Sequence, residues 1–237
     1  MIHALLLDLD GTLLENEPSA FMVAYFAAVK RYFAPHCDTD QLLTAIGIGV
    51  QAMLANQGTG TNAEAFWQTA EPRLPAPRAA LMPLFEEFYE QEFATLASVT
   101  KPVPGALELI ATARQAGLKL AVATNPVFPR RAIEHRLEWA GLDPADFDLI
   151  TCFETMHSSK PRPAYFAQII DLLGVAADGA VMAGNHLSDD LQGAQAVGLT
   201  TFFVDTFPIA DAPVTPTARG SLHDLRAFLF GGEGYNE

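Results

Sequence analysis

Positive charge is scarce in this chain. Its 237 residues carry 14 Lys and Arg against 28 Asp and Glu, a net charge of −14, and only four of the cations are lysines. A nucleic-acid partner is therefore not expected, because holding a polyphosphate needs a basic stripe that displaces counterions. An anionic small molecule is not excluded, since a few local cations and backbone donors can bind it against the overall field. Cysteine is scarcer still. Cys37 and Cys152 form no CxxC pair and no disulfide framework, which fits a reducing, cytoplasmic setting. Long apolar runs are missing too. No stretch approaches the ~18 apolar residues of a membrane span. The apolar N-terminus, Met1 to Leu7, is cut short by Asp8 and Asp10 and has no basic flank, so neither a signal peptide nor a membrane span is expected. What is present is apolar bulk: 50% of residues are hydrophobic and 18% charged, which predicts a packed core without disorder. The length suits one large domain, or a domain carrying a smaller insert.

Periodicity divides the chain into two textures. Residues 3–8 (HALLLD) are short, apolar and stopped by Gly11, as a buried strand is. From Pro18 to about Tyr32 the period becomes helical, with Phe21, Tyr25, Val29 and Tyr32 on one face and Glu17 or Ser19 as a cap. Residues 39–55 and 62–70 read as further helices. Pro72, Pro75 and Pro77 break the pattern, and a last helical stripe runs from Leu81 through Phe88 and Phe93 to Leu96. No strand is predicted between residues 17 and 100. Beyond Pro102 and Pro104, apolar strands at 118–123, 148–152, 180–183 and 200–204 alternate with helices at 105–116, 129–140, 163–173, 189–197 and 221–229. That alternation predicts an α/β fold with a parallel sheet covered on both faces. The predicted organisation is a core of residues 1–16 and 102–237 with an all-helical insert, 17–101, after the first strand. Its two connections lie together, so a hinge is expected there. The glycine-rich tail, 231–237, is expected to be loose.

Four clusters carry candidate chemistry, and each also has a bland reading. In Asp8-Leu9-Asp10-Gly11-Thr12 the two acids are two apart, so they project from the same side of a strand end, where open α/β sheets bind ligands. Adjacent carboxylates favour a cation or a shared proton; the alternative is a turn with solvated acids. Thr124-Asn125 follows strand 118–123 and offers a hydroxyl and backbone N–H groups to phosphate oxygens, although Thr-Asn-Pro is also an ordinary turn. Lys160 lies between a strand and a helix start, where an ammonium could offset a carboxylate and a phosphate, or simply be solvated. Gly184-Asn185-His186-Leu187-Ser188-Asp189-Asp190 follows strand 180–183 with oxygen donors suited to a hard cation, or with the residues of a helix cap.

All four clusters fall at the carboxyl ends of predicted strands, in order. In this set the chain resembles the haloacid dehalogenase-like hydrolases, which carry DxDGT, a Thr or Ser, a Lys before Pro and a Gly-Asp-rich acidic loop on a Rossmann-like sheet. The helical insert is similar to that superfamily's type 1 cap. The resemblance implies a Mg²⁺-dependent phosphomonoester hydrolase acting on a small phosphorylated metabolite through an aspartyl-phosphate. It implies Asp8 as nucleophile, Asp10 as general acid and base, and Lys160 as charge neutraliser. Phosphate would be held by Asp8, Thr124, Asn125 and Lys160, and Mg²⁺ by Asp8, the Asp10 carbonyl, Asn185 and Asp190. An acid at Asp10 resembles the phosphatases and phosphomutases of the superfamily. A sugar-phosphate mutase, a 2-haloacid dehalogenase and a non-catalytic binding module stay open as alternatives. The expected partner is a small-molecule phosphate ester, with neither nucleic acid nor membrane, and the chain is expected to be a monomer or small homo-oligomer. One departure stands out: Asn185 occupies the place of the family's usual metal-binding Asp, which implies a weaker metal site. Lys30, Arg31, Asn56, Gln57 and Arg73 are the polar candidates in the insert, each equally consistent with plain surface.

Overall fold

The computed structural model describes residues 1–231. The chain begins with strand β1 (Ala4–Leu7), turns at Gly11, and enters a short strand β2 (Leu14–Asn16). Four helices follow: α1 (Pro18–Phe33), α2 (Thr39–Ala55), α3 (Asn62–Ala70) and α4 (Arg78–Glu87). A π turn (Phe88–Glu92) and a 3-10 segment (Phe93–Val99) lead into β3 (Thr100–Pro102). The remainder is α5 (Ala106–Gln115), β4 (Lys119–Val122), α6 (Arg130–Trp139), β5 (Leu149–Ile150), α7 (Pro163–Leu173) and β6 (Ala180–Gly184). A π turn (Leu187–Gln192) then runs into α8 (Gly193–Ala196), followed by β7 (Thr200–Val204), β8 (Ala218–Gly220) and α9 (Leu222–Phe230).

Six strands make one parallel sheet in the order β5-β4-β1-β6-β7-β8. The period-2 alternation of side chains explains why both faces must be covered. Leu5 and Leu7 of β1 pack with Leu120, Val122, Leu109 and Ile133 on one face. Ala4 and Leu6 pack with Met182, Tyr165, Phe166 and Ile169 on the other. Helices α5, α6 and α9 supply the first face, and α7 and α8 the second, which is the Rossmann-like sandwich that the alternation predicts. Among the described residues no helix is long and apolar enough to cross a membrane.

The helices of residues 18–99 bury an aromatic core that they share with Phe128, Ala132 and Trp139, with Phe33, Phe88 and Phe93 essentially sealed from solvent. Each such side chain contributes roughly 2–3 kcal/mol of transfer free energy. Two corrections arise here. The stripe over 81–96 is not one helix. Phe88 and Phe93 are five residues apart, which an α-helix would separate by about 140° around its axis. The π turn brings both inward, with the Phe93 N–H donating to the Phe88 carbonyl. The region also does not lack a strand to its end, because Thr100 opens β3, which pairs antiparallel with β2 (Leu14↔Pro102, Glu15↔Lys101, Asn16↔Thr100). The two chain connections are thus hydrogen-bonded to each other. Neither strand has an apolar run, and β8 escapes sequence detection for the same reason. The tail from residue 232 lies outside the described residues.

Helix α8 approaches the loop before α7 so closely that a Cβ at Gly193 would collide with the Pro161 carbonyl oxygen and the Phe166 ring. By contrast, a Cβ at Gly47 in α2 would meet nothing within 4 Å. Gly193→Ala is expected to lower the unfolding free energy by about 1–3 kcal/mol. Gly47→Ala is expected to raise it by up to about 1 kcal/mol through helix propensity. Urea unfolding of both variants measures the contrast, and equal shifts would show that the α8 approach constrains nothing.

Candidate active site

Asp8 sits one residue beyond β1, and its N–H donates to the Ala183 carbonyl at 2.9 Å, so the ladder to β6 holds it in register. Its carboxylate is buried and both oxygens are engaged. Lys160 Nζ lies 2.7 Å from Oδ1, and the Thr12 hydroxyl donates to Oδ2 at 3.1 Å. The same ammonium reaches Asp190 Oδ1 at 2.6 Å, while the His186 N–H donates to Asp190 Oδ2 at 2.9 Å. Three strand ends, those of β1, β5 and β6, therefore meet on one buried cation. Burial works against that ammonium, but the charges of Asp190 and Asp8 outweigh it and hold the Lys160 pKa above its ordinary value. Burial and the Asp8 charge push the Asp190 carboxyl up to about 7, against Lys160 and the His186 N–H, which favour its anion. With an ammonium 2.6 Å away, the anion is the form this geometry supports.

Thr124 is buried at the end of β4. Its carbonyl is fixed by the Tyr165 hydroxyl (2.7 Å) and the Thr151 hydroxyl (2.9 Å). Asn125 next to it keeps a buried Oδ1 with no hydrogen-bond partner. Asn185 has its Nδ2 tied to the Phe207 carbonyl at 2.7 Å, which turns Oδ1 toward the Thr12 hydroxyl, 3.4 Å away. Asn185 fills the space where a Cβ of residue 11 would stand, so Gly11 serves both the left-handed turn and the close approach. His186 is part of the cap of the following π turn, accepting from the Asp189 N–H and meeting Ser188 and Asp211.

The oxygens of Asp8 and Asn185 converge on the Thr12 hydroxyl, and oxygen donors are the kind a hard divalent cation takes. Among the described residues no group of three His, Cys, Asp or Glu side chains is arranged for a metal ion. The formal charge of such a site is therefore low. Asp190 carries the same two engagements as Asp8, one to Lys160 and one to a donor of its own loop.

Four contributors lie outside the sequence expectations. Thr12 links Asp8 to Asn185. Asn16 Nδ2 donates to Asp10 Oδ1 at 2.9 Å, and Arg136 forms an ion pair with Asp10 Oδ2. Arg136 is 3% exposed, lies 5.7 Å and 5.6 Å from the ring centres of Phe21 and Phe128, and keeps its Nε unpaired. Burial lowers its guanidinium to about 10, with the Asp8 charge acting the other way. Its signal in the sequence is phase, because Ala132, Ile133, Arg136 and Leu137 fall on the buried face of α6. The fourth is Asn62. It reaches from α3 to the Pro126 and Ser158 carbonyls, and its Oδ1 accepts from Asn56. The other polar candidates of the insert are not at this site: Lys30 pairs with Asp40, Arg31 with Glu92, Arg73 donates to the Thr69 carbonyl, and Gln57 is exposed.

The family described as haloacid dehalogenase-like hydrolase matches residues 5–204. A phosphoglycolate phosphatase of Xylella fastidiosa is 30% identical over 198 residues, spanning 83% of this chain and 77% of that protein. Among solved structures, a 2-haloacid dehalogenase from Pseudomonas syringae superposes with a TM-score of 0.68 at 22% identity, covering 97% of this chain and 98% of that one. A phosphatase from Thermococcus onnurineus superposes at 0.61 and 23% identity, with coverage of 97% and 99%. Both chemistries are hosted by one fold, so the fold alone does not decide between them.

The Asp10–Arg136 pair is asymmetric, since the Asp10 side chain is 32% exposed and that of Arg136 only 3%. Asp10→Ala strands a buried cation and is expected to cost about 3 kcal/mol. Arg136→Met frees an acid that water can reach and is expected to cost on the order of 1 kcal/mol. Urea denaturation of the two variants gives the order, and the opposite order would sink this account of the pair.

Proposed function

The chain belongs to the haloacid dehalogenase-like hydrolases and is a phosphatase among them, and from that premise we propose that it hydrolyses small phosphomonoesters with Mg²⁺ through an aspartyl-phosphate on Asp8. The observation that carries this reading is the buried Asp8–Lys160–Asp190 cluster with Asp10 two residues from the nucleophile. A carboxylate can meet a phosphate dianion only where cations offset the repulsion, and Lys160 is already positioned to do so.

In the first half-reaction an Asp8 oxygen forms a bond to phosphorus, the bond from phosphorus to the leaving oxygen breaks, and Asp10 gives that oxygen a proton. In the second, Asp10 takes a proton from water, the water oxygen bonds to phosphorus, and the acyl–phosphate bond breaks to restore Asp8. The Thr124 hydroxyl and the N–H groups beside Asn125 hold the phosphoryl oxygens. Bound at Asp8, the Asp10 carbonyl and Asn185, Mg²⁺ would supply charge neutralisation to the phosphoryl group. Arg136 and Asn16 occupy the two Asp10 oxygens, so Asp10 must move off Arg136 to reach the leaving oxygen. Asn16 belongs to the β2–β3 ribbon, and Phe21 of α1 lies against Arg136. Movement of the cap, residues 17–101, against the core of residues 1–16 and 102–237 would therefore reach Asp10 directly.

Asp8→Asn is expected to abolish turnover of an aryl phosphate while leaving the far-UV circular dichroism unchanged; more than a small residual activity overturns the nucleophile. Acid quenching of the wild type during turnover should leave a phosphoryl adduct on Asp8, read by mass spectrometry of the peptide.

A second test addresses the cation. Asn185→Asp is expected to lower the Mg²⁺ concentration for half-maximal activity by roughly tenfold or more. Asp190→Ala is expected to raise it. Unchanged Mg²⁺ titrations in both variants would remove this loop from the metal site.

A further inference from the structure

A cavity of about 780 Å³ lies between helices α1–α4 and the loops that follow β4 and β5. Its floor is Val127, Phe128, Pro129 and Phe153; Tyr25, Phe26, Phe66, Trp67 and Phe85 are among its aromatic walls. Such a volume and a largely apolar lining suit a small molecule.

The cavity is joined to the chemistry through its floor. Val127 is two residues beyond Asn125, a reach of about 7 Å. The Phe128 ring lies 5.6 Å from the guanidinium of Arg136, which itself pairs with Asp10. Asp10 and the cavity floor thus lie on either side of one buried guanidinium. The Phe128 carbonyl accepts from the Phe153 N–H at 3.1 Å, so the two floor loops are held together.

The charges on the walls are mostly negative. Glu86, Glu90 and Glu154 face the cavity with a single cation, Arg131. That guanidinium is already committed, with Nε 2.8 Å from Glu90 and Nη1 3.0 Å from Glu138. A carboxylate entering here would meet acids without a free counter-charge. The polar group left over is phenolic. Tyr25 and Tyr89 share one hydrogen bond at 2.9 Å, so of their two hydroxyl hydrogens one remains for a ligand. That donor suits a neutral acceptor such as an ether or carbonyl oxygen.

We infer that this cavity receives the leaving group of the phosphoester, and that the substrate class is the phosphomonoester of an uncharged, bulky aromatic or branched apolar alcohol. This rests on the phosphatase reading of the Asp8 site. It separates the chain from its phosphoglycolate phosphatase relatives, because glycolate carries a carboxylate and fills little of such a volume.

The test compares kcat/KM, with Mg²⁺, for 2-phenylethyl phosphate, methyl phosphate and 2-phosphoglycolate, with 4-nitrophenyl phosphate as a general substrate. The expected result is a preference of at least about tenfold for 2-phenylethyl phosphate over 2-phosphoglycolate. Gly47 borders the cavity and a Cβ there meets nothing within 4 Å, so Gly47→Leu adds an apolar side chain at the cavity edge. It should lower the ratio of kcat/KM for 2-phenylethyl phosphate to that for methyl phosphate by about tenfold. Hydrolysis that favours 2-phosphoglycolate, or a ratio unmoved by Gly47→Leu, overturns the inference and leaves the phosphatase reading standing. Failure to hydrolyse any of the four esters overturns both.

Discussion

A single ammonium, that of Lys160, stands between two buried carboxylates, and the geometry of the site depends on it. Asp8 and Asp190 could not both be ionised in that space without it. It arrives on the loop that precedes α7, so a residue far along the chain completes the ends of β1 and β6. The loop is in turn fixed from two directions. Gly193 lets α8 come against the Pro161 carbonyl, and the Ser159 hydroxyl donates to the Met53 carbonyl of α2 at 3.3 Å. Burying three charges is costly, and well-packed apolar residues would often hold such a position as firmly. What apolar residues could not supply is a carboxylate with a cation already beside it before a phosphate dianion arrives. The cluster is better understood as preorganised for anion binding than as a contribution to stability.

A second buried cation, Arg136, organises the surroundings of Asp10. Its partners divide between the two parts of the fold: Asp10 and Phe128 belong to the strand-end loops, and Phe21 to the first helix of the insert. The β2–β3 ribbon places Asn16 on the other oxygen of Asp10. Asp10 is therefore held by the elements through which the insert is attached. Asn62 makes a similar connection on the opposite side, reaching from α3 to the carbonyls of Pro126 and Ser158. The loop after β4 and the lysine loop are thus both in hydrogen-bond contact with the insert, and a change in its position has a physical route to each.

The sequence was most legible where one local rule acts at a time. Strands buried on both faces announce themselves as apolar runs, so β1, β4, β6 and β7 are visible. Asp8, Asp10, Thr124, Lys160 and Asp190 each follow a strand within a short, chemically distinctive segment. What was hidden depends on pairing over distance. The strands β2, β3 and β8 are three residues each and have no apolar run; backbone partners create them. The π turn at 88–92 answers a five-residue spacing of phenylalanines that a simple periodic reading passes over. Arg136 looks like one of several arginines in a charged helix until its phase relative to Ile133 and Leu137 is counted. Asn62 is outwardly only the first residue after a Thr61 cap. Asp190 was recognisable as an acid of the fourth cluster, but its engagement with Lys160 rather than with open space needed coordinates.

The distribution of charge ties these levels together. A chain with a net charge of −14 has no general attraction for a phosphate ester, so attraction must be local. Its cations are allotted accordingly. Lys160 and Arg136 are buried at the strand ends, whereas Lys30, Arg31, Lys119 and Arg130 are spent on exposed pairs of small energetic value. At the strand ends Lys160 and Arg136 answer Asp8, Asp10 and Asp190, whereas the cavity lining sets Glu86, Glu90 and Glu154 against Arg131 alone. On the inference that the cavity takes the leaving group, an ester with one anionic end and one neutral, apolar end would fit in a single orientation. Its phosphate would lie at Lys160, and the acids of the cavity would repel a second anion. The orientation of such a substrate would then follow from where the chain places its few positive charges.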